Sequence, residues 1–568
     1  MRACASALAA CVAALCVAAA LAQSTKSRQR PLVVAEPRPQ PLPQPRDSGK
    51  ACSCSGFIQR ALDCSGRGRS TLSASDLCSG QTTAVDLSNN RFVALPAAWG
   101  AHIVSVNASR NQLNALPRAP PLNPKTHTLD LSFNQIGSSS DELRALAALD
   151  TLLLRGNRLT ALGFLPAPCN LRRLDASANR LRSLDGPLGG CQKLAVLELA
   201  DNQLASLPRG ALAGLRKLKR LSLASAGLSG VGQGAFDGLK ELEVLSLSAN
   251  RLTTLPSLVF SQLQELEQLH LDNNQLSSLP ADVFTGLKEV EVIVLSRNKL
   301  NTLPQGIFAQ LKELKRLNLN ENPLRSLPHG IFNGLQKLED IQLESNLLES
   351  LPSQIFSGLR SLKRISLNGN KLTTLPNDLL SGVNSLETLG LGGNQFSSVP
   401  AGLFRNVKSI KFLDLSLNRL KSLSGSDLSG LQSLSKLTLV GNQFTALPLY
   451  DGSWPKVEVV ELEGNSITEL SEAAARSWLG EGKPKRRVLL GQSQWLRSLA
   501  PLRWALDEPK VTAVVAQSNC QCGALKRGDA EISFCTAASC PGQAANWVEA
   551  VRATRPDPYL PTRPGIKG

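Results

Sequence analysis

Apolar and polar positions alternate in a short motif, LxLxxNxL, which recurs along most of the chain. This alternation predicts a short strand whose leucines point inward and whose intervening residues point outward. The motif recurs every 21 to 23 residues up to Asn202 and every 24 residues from there to Asn442, a spacing that predicts a solenoid of about 17 coils. Its asparagine occurs at Asn90, Asn111, Asn134, Asn157, Asn179, Asn202, Asn250, Asn274, Asn298, Asn322, Asn346, Asn370, Asn394, Asn418, Asn442 and Asn465, and Ala226 takes the seventh place.

The residues around each motif predict how the coils stack. Strands of successive coils should pair in parallel, and each asparagine side chain can donate to and accept from neighbouring backbone groups, which would form a ladder between coils. Because Ala226 has no such side chain, we expect local loosening there. A phenylalanine stack should widen the outer side of the coils and curve the solenoid with its strands inside. These phenylalanines lie fourteen residues before the asparagine, at Phe236, Phe260, Phe284, Phe308, Phe332, Phe356 and Phe404.

The full pattern, LPxxxFxxLxxLxxLxLxxNxL, covers residues 80–470 and is most regular between about 203 and 442. It resembles the extracellular leucine-rich repeat proteins, in the style of Slit, Toll-like receptor ectodomains and variable lymphocyte receptors. The resemblance implies an α/β-type solenoid: a curved horseshoe with a parallel β-sheet on its concave face and a mostly irregular convex side. It also implies that the concave face binds a protein or glycan.

Thirteen cysteines add to this picture, and three of them lie within the first 22 residues. The segment ACSCSGFIQRALDCSG resembles the N-terminal cap of the family, which we place at residues 51–79, and SNCQC with FCTAASC resembles the C-terminal cap, at 519–545. The resemblance implies disulfides with open connectivity among cap cysteines. These are Cys52, Cys54, Cys64, Cys78, Cys520, Cys522, Cys535 and Cys540.

Two cysteines lie inside the repeats. Cys169 and Cys191 come ten and eleven residues before the asparagines of adjacent coils, so they should lie at nearly the same height. Neighbouring coils are close enough for a disulfide, which needs Cα atoms about 5.5 Å apart. The sequence favours this bond; the alternative is two buried thiols.

The segments outside the repeats predict export and an irregular C-terminal region. Residues 1–22 join one arginine to an alanine-rich apolar run, which is typical of a secretory signal peptide rather than a membrane span. Residues 23–50 form a proline-rich basic linker, and 546–568 a flexible tail. We interpret 471–518 as a short helix, a basic loop and degenerate repeats. The protein should therefore be secreted, with no membrane span.

Charge is distributed unevenly between the predicted strands and the rest of the chain. The formal net charge is +17, yet the outward strand positions six, four and two residues before each asparagine carry six basic and ten acidic side chains. This sheet face is either an ordinary solvated surface or a surface for a basic ligand. Candidate ligand-binding residues are Ser246, His270, Asp272, Arg316, Asn318, Asn320, Gln342, Glu344, Arg364, Ser366, Asn368 and Asp414.

The motif Asn107-Ala108-Ser109 is a glycosylation acceptor, and Asn107 should lie on the same sheet face near its N-terminal end. A glycan there would close that end to a large ligand. We therefore expect contacts further along the face.

The chemistry of the sequence favours a binding protein over an enzyme. Its four histidines lie in separate units, and we find no metal-ligand spacing, nucleophile elbow or phosphate-binding loop. We expect no cofactor and no nucleic-acid partner. Two alternatives to ligand recognition remain: a matrix or cell-surface component that binds anionic polysaccharide through its basic tails, and an inhibitor of an extracellular enzyme.

Overall fold

A computed structural model describes most of the chain between residues 52 and 535. The described ranges are 52–55, 61–72, 82–96, 102–116, 122–137, 143, 146–166, 168–184, 187–451, 454–467, 471–478, 487–490, 511–515, 522–527 and 530–535. The expected signal peptide, linker and tail lie outside these residues, as do Cys78, Cys520 and Cys540. All described residues belong to one compact unit that begins at Asp47.

The architecture is a solenoid built around one 23-stranded sheet, with a second sheet of two strands. In chain order the strands are β1 Ser53–Ser55, β2 Ala61–Asp63, β3 Ala84–Asp86, β4 Ser105–Asn107, β5 Thr128–Asp130, β6 Thr151–Leu153, β7 Arg173–Asp175, β8 Val196–Glu198, β9 Ser206–Leu207, β10 Arg220–Ser222, β11 Gly230–Val231, β12 Val244–Ser246, β13 Gln268–His270, β14 Val292–Val294, β15 Arg316–Asn318, β16 Asp340–Gln342, β17 Arg364–Ser366, β18 Thr388–Gly390, β19 Phe412–Asp414, β20 Lys436–Thr438, β21 Val459–Glu461, β22 Arg487–Leu489, β23 Val511–Val515, β24 Cys522–Arg527 and β25 Ala530–Cys535.

Strands of successive coils pair in parallel and in register, as the period predicts. Leu245 in β12 is opposite Leu269 in β13, and Leu269 is opposite Ile293 in β14. The middle residue of each repeat strand is buried, and the repeated leucines form one continuous core through the stack. The prediction of a parallel-stranded solenoid is confirmed.

The phenylalanines stack on the side of the coils opposite the strands. Ring centroids of successive phenylalanines are 5.7 Å apart for Phe236 and Phe260 and 6.5 Å apart for Phe308 and Phe332. Paired strands are only about 4.8 Å apart. The coils are therefore more widely spaced on the phenylalanine side, so the sheet lies on the concave side of the stack.

The predicted asparagine ladder is present, and Asn274 illustrates its geometry. Its Nδ2 donates to the carbonyl of Leu271 in its own coil at 3.0 Å and to that of Leu247 in the preceding coil at 2.9 Å. Its Oδ1 accepts the backbone N–H of Leu252 at 3.1 Å. We name each coil after its ladder asparagine, so this one is the Asn274 coil.

The prediction of local loosening at Ala226 is wrong. Ala226 is buried, and its own carbonyl accepts the N–H of Leu204 at 2.7 Å, a group that would otherwise bond to an asparagine Oδ1. Next to it, β9 and β11 pair in parallel and form the two-stranded sheet. Main-chain pairing thus replaces the missing side chain and joins the two coils.

The N-terminal end of the sheet is formed by a hairpin. β1 pairs antiparallel with β2, which in turn pairs parallel with β3 of the Asn90 coil. A disulfide joins Cys52 to Cys64, and Cys54 is also disulfide-bonded. This hairpin covers the first coil of the repeats.

The C-terminal region keeps part of the repeat pattern. Helix α1, Glu472–Trp478, is the predicted short helix, and β22 pairs parallel with β21 like a further repeat strand. β23, which we interpreted as a degenerate repeat, instead pairs antiparallel with β24, and β24 pairs antiparallel with β25. Because β25 pairs with β22, this antiparallel group ends the sheet.

Cys169 and Cys191 form a disulfide, with their Cα atoms 4.7 Å apart. The bond joins the Asn179 coil to the Asn202 coil. Among the described residues, no helix has the length and apolar character needed to cross a lipid bilayer.

Candidate binding surface on the concave sheet face

The outward strand residues form three rows, six, four and two residues before each ladder asparagine. We call these rows together the concave face. The buried leucines alternate with these residues, so the polar side chains stand outward and are mostly half-buried between neighbouring strands. The middle row runs in continuous register from Ser246 through His270, Val294, Asn318, Gln342, Ser366 and Gly390 to Asp414.

The first row contributes a charged group in the middle of the face. Arg316, Asp340 and Arg364 lie directly opposite one another on β15, β16 and β17. Asp340 is 5% exposed, and its Oδ2 accepts hydrogen bonds from Arg364 Nε at 3.1 Å and Nη2 at 3.0 Å. Gln342 Nε2 also donates to that oxygen at 3.3 Å. Arg316 is exposed beside this pair.

Hydrogen bonds join the third row to neighbouring residues of the concave face. Asn320 Oδ1 accepts the N–H of Glu344 at 2.7 Å, and Asn320 Nδ2 lies 3.4 Å from Gln342 Oε1. The Ser366 hydroxyl bonds to the Glu344 carboxylate, and Asn368 Oδ1 accepts the N–H of Gly392 at 2.7 Å. These bonds hold the side chains in place before any ligand arrives.

His270 lies at the other end of the candidate set, between Ser246 and the apolar Val294. Its burial lowers the pKa of the imidazole, an effect that Asp272 opposes and Arg220 reinforces. Asp272 also accepts a hydrogen bond from the Ser248 hydroxyl at 2.6 Å. The structure therefore places all twelve predicted residues on one face, but as a long strip rather than a compact pocket.

Acidic side chains accumulate towards the C-terminal end of the strip. Asp414 is 5% exposed, and burial raises the pKa of its carboxyl. Glu463, half-buried two coils further on, has a pKa raised by burial and by the neighbouring Glu461. Lys436 Nζ forms an ion pair with Glu461 at 2.7 Å and also lies over the ring of Phe412 at 5.7 Å. Glu198, nearer the N-terminal end, has a pKa raised by burial and by Asp175.

Sequence reasoning missed two glycines at this end. Gly390, at the end of β18, and Gly392, just after it, occupy concave-face positions of the Asn394 coil, so this coil presents no side chain at the second and third rows. A Cβ atom at Gly390 would lie 2.8 Å from the Asn368 carboxamide, and one at Gly392 would lie 2.9 Å from Asp414 Oδ2. The signal in the amino-acid sequence that could have identified them was glycine at both the second-row and the third-row position of one coil.

Asn107 lies on β4, on the concave face near its N-terminal end. Its Oδ1 accepts the hydroxyl of Ser109 at 2.8 Å, and its Nδ2 donates to Asp86 at 3.1 Å. The side chain is half-buried. Its glycosylation stays a prediction.

The chemistry available on this face is that of hydrogen bonds and charge. Within the described part of the chain, no three histidine, cysteine or acidic side chains are arranged to hold a metal ion. A long, half-buried polar face with preorganised side chains suits recognition of an extended surface better than a small molecule, which would need a concave, mostly apolar pocket.

Comparison with known proteins identifies the repeats. The leucine rich repeat family model matches residues 169–227, 216–276, 264–324, 312–372, 336–396 and 384–444. A leucine-rich repeat protein of Leptospira interrogans is 28% identical, with 73% of this chain and 92% of that chain covered and a TM-score of 0.51.

Two further solved structures share the fold. A chain of the Drosophila Toll–Spatzle complex is 22% identical, with coverages of 82% of this chain and 69% of that one and a TM-score of 0.62. YopM from Yersinia enterocolitica is 24% identical, with coverages of 76% and 86% and a TM-score of 0.54.

Proposed function

Because the chain is a leucine-rich repeat protein, we propose that it is a secreted recognition or adhesion protein whose concave face binds an extracellular protein or glycan. The observation that carries the proposal is the strip of concave-face residues from Ser246 to Asp414. It combines outward polar and charged side chains with hydrogen bonds that already hold them in place. Preorganised groups lose less conformational entropy when a ligand binds.

An extracellular setting agrees with the cysteine chemistry. The disulfides Cys52–Cys64 and Cys169–Cys191 are stable in an oxidising compartment, and residues 1–22 have the pattern of a secretory signal. Toll occurs in a complex with Spatzle, but its likeness to this chain concerns the fold alone. The support for binding therefore comes from the surface of this chain.

The test uses the full-length protein as bait. The biotinylated protein is incubated with conditioned medium and matrix extracts, and the captured molecules are identified and quantified by mass spectrometry. We expect Ser246→Arg, His270→Arg and Gln342→Arg to reduce capture about tenfold or more, because each places a long charged side chain on the half-buried middle row.

Matched controls come from the convex side of the Asn274 coil and of the Asn322 coil, which precedes the coil of Gln342. Gln262 and Gln310 are exposed there, so Gln262→Arg and Gln310→Arg add the same charge away from the strands and should leave capture unchanged. The proposal would be contradicted if capture disappeared at high salt and was unchanged by the three concave-face substitutions. That outcome would favour binding of polyanions through the basic ends, since salt screens exposed charges.

A further inference from the structure

The coils carry a charged flank where the chain approaches each strand. It consists of the residues ten, nine and seven positions before each ladder position, between the phenylalanine side and the sheet, and its charged side chains are exposed or half-buried. The main chain of this flank is bonded from coil to coil: the Glu267 N–H donates to the Glu243 carbonyl at 2.8 Å, and the Glu291 N–H donates to the Glu267 carbonyl at 2.8 Å. Equivalent residues of successive coils are therefore direct neighbours. We call these three positions together the entry flank.

Towards the C-terminal end, the entry flank neutralises its own charge. The sign alternates from coil to coil at the position seven residues before the asparagine, where the residues are Lys315, Glu339, Lys363, Glu387 and Lys411. Lys363 Nζ lies 3.0 Å from the Glu339 carboxylate, and Lys411 Nζ lies 3.1 Å from that of Glu387. Alternation therefore gives each of these glutamates a lysine from the adjacent coil.

In the six coils from the Asn179 coil to the Asn298 coil, the charges of the entry flank are segregated instead. Its basic block, in the first three coils, has five basic residues and no acidic one: Arg172, Lys193, Arg216, Lys217 and Lys219. Its acidic block, in the next three coils, has six acidic and two basic residues: Glu241, Glu243, Glu265, Glu267, Glu289 and Glu291, with Lys240 and Lys288. Two adjacent surfaces of the same length thus have opposite charge.

The junction between the two blocks is paired within the chain. Lys217 forms an ion pair with Glu241, and Lys219 forms one with Glu243, in each case between the last coil of the basic block and the first coil of the acidic block. These pairs hold the junction together and leave the charges further from it unbalanced.

Each block contains three charged side chains that form no ion pair with any residue the structure describes. They are Arg172, Lys193 and Arg216 in the basic block and Glu265, Glu267 and Glu289 in the acidic block. Each of these three glutamates lies between two other glutamates of the neighbouring coils. Like charges on adjacent strands are destabilising, so opposite charge from outside the chain would stabilise both blocks.

The two blocks are complementary to each other when the surface meets a copy of itself. A two-fold axis at their junction, between the Ala226 and Asn250 coils, places the basic block of one copy against the acidic block of the other, twice over, in an isologous contact. In that arrangement Lys193 of each copy faces Glu265 of the other. The entry flank lies beside the curve of the solenoid, between its concave and convex sides, so two flanks can meet along several coils. An anionic polysaccharide would match the basic block and leave the acidic block without a partner.

We propose that the entry flank of these six coils is the interface of a homodimer, in which the basic block of each copy pairs with the acidic block of the other. This inference goes beyond the proposed function, because the contact leaves the concave face of both copies open to a ligand. Six coils at about 5 Å each give a strip about 30 Å long, which is small for a protein interface. The dimer is therefore weak, held mainly by charge, and sensitive to salt.

The direct test is sedimentation velocity of the full-length protein over a range of micromolar concentrations, at about 0.15 M and about 1 M salt. We expect a monomer–dimer equilibrium at the lower salt concentration and a dissociation constant at least tenfold higher at the higher one. Lys193→Glu and Glu265→Lys should each raise the dissociation constant at least tenfold at the lower salt concentration. The reason is that each substitution creates a contact between like charges on both sides of the axis.

Mixing the two variants separates a specific interface from damage to the fold. In an equimolar mixture of Lys193→Glu and Glu265→Lys, the two reversed charges face each other, so a heterodimer should form with about the affinity of the wild-type dimer. Structural damage would not be repaired by mixing. Lys408→Glu and Glu458→Lys make the same changes on the entry flank of the Asn418 and Asn465 coils, and they should leave the dissociation constant unchanged.

The inference is overturned if the wild type stays monomeric at every concentration, if the mixture forms no heterodimer, or if the two control variants weaken the dimer as much as Lys193→Glu does. A monomer that binds dextran sulfate, and loses that binding with Lys193→Glu, would assign the basic block to a polyanion and would also overturn it. The concave-face proposal is judged separately, by the capture experiment. Loss of the dimer with normal capture would leave that proposal standing.

Discussion

The residue directly before each ladder asparagine lies in the left-handed region of backbone space, where a large side chain is unfavourable. Phe133 and Leu417 occupy it nonetheless, with φ of 56° and 51°. In each case the next coil has glycine at the same position: a Cβ at Gly156 would lie 2.7 Å from the Phe133 ring, and one at Gly441 2.6 Å from Leu417 Cδ2. The large residue of one coil therefore fills the space that the next coil leaves open.

This arrangement predicts energetic coupling between Leu417 and Gly441. Gly441→Ala should lower the free energy of unfolding by about 1–2 kcal/mol, because it adds backbone strain and a contact with Leu417. In the Leu417→Ala background the cost should be smaller by about 0.5–1 kcal/mol, since the contact is gone. Urea denaturation of the four proteins measures this difference. Gly464→Ala, whose Cβ would meet only backbone of Gly441 at 3.4 Å, is the uncoupled control. Equal costs in both backgrounds would contradict the packing argument.

At the scale of the coil, packing depends on one side chain of the right size at each repeated position. Leucine occupies the position five residues after the asparagine at Leu375 and Leu423, whereas the Asn394 coil has Val399 there. A cavity of about 10 Å³ lies beside Val399, between Leu375, Phe396 and Leu403. The cavity therefore lies where one coil is a methylene short of its neighbours.

Val399→Leu should fill this space and raise the free energy of unfolding by roughly 0.5–1 kcal/mol, because it restores buried apolar contacts. Leu375→Val, the matched change one coil earlier, should enlarge the same cavity and lower it by about 1 kcal/mol. Thermal and urea denaturation compare the two variants with the wild type. If Val399→Leu is destabilising, the coil has adjusted to valine and leucine overpacks it.

Across the whole molecule, the distribution of charge separates the concave face from the rest of a basic protein. Glu198 and Asp414 are far apart on that face, yet burial raises the pKa of both carboxyls above their ordinary values. Away from the face, the hydroxyl of Ser353 donates to Asp378 and lowers the pKa of that exposed carboxyl. Ionisation of the carboxyl therefore opposes folding at Glu198 and Asp414 and favours folding at Asp378.

These directions predict opposite dependences on pH. A carboxyl whose pKa is raised on folding contributes stability below its unfolded pKa and loses it as the pH rises through the folded value. Asp414→Asn and Glu198→Gln should therefore raise the melting temperature at pH 7, with a gain that vanishes as the pH falls towards 4. Asp378→Asn should lower it at pH 7, and that loss should vanish only when the pH falls below the ordinary carboxyl range and through the lowered pKa of Asp378. Scanning calorimetry from pH 7 down to about pH 2 provides the measurement, and the same sign for all three variants at pH 7 would contradict the assignment.

Periodicity in the amino-acid sequence was sufficient to predict the inward residues. Leu245, Leu269 and Asn274 occupy positions that recur in almost every coil with the same chemistry, because each coil meets the same surroundings above and below it. For the same reason the sheet, its register and the side on which it lies could be predicted. The adjacent placement of Cys169 and Cys191 followed from the same repeat spacing.

The fold itself was needed wherever a residue departs from the repeat, because its effect then depends on the neighbours that the stack brings to it. Ala226 lacks the ladder amide, and only the tertiary structure reveals that main-chain bonds and the β9–β11 pair join the coils there. In the sequence, Gly390 and Gly392 are compatible with an ordinary turn. Only the structure shows that the side chains of Asn368 and Asp414, from the adjacent coils, lie over them. Such side chains are separated by about 24 residues in the chain and by a single strand spacing in space, so the irregular positions acquire their chemistry only after folding.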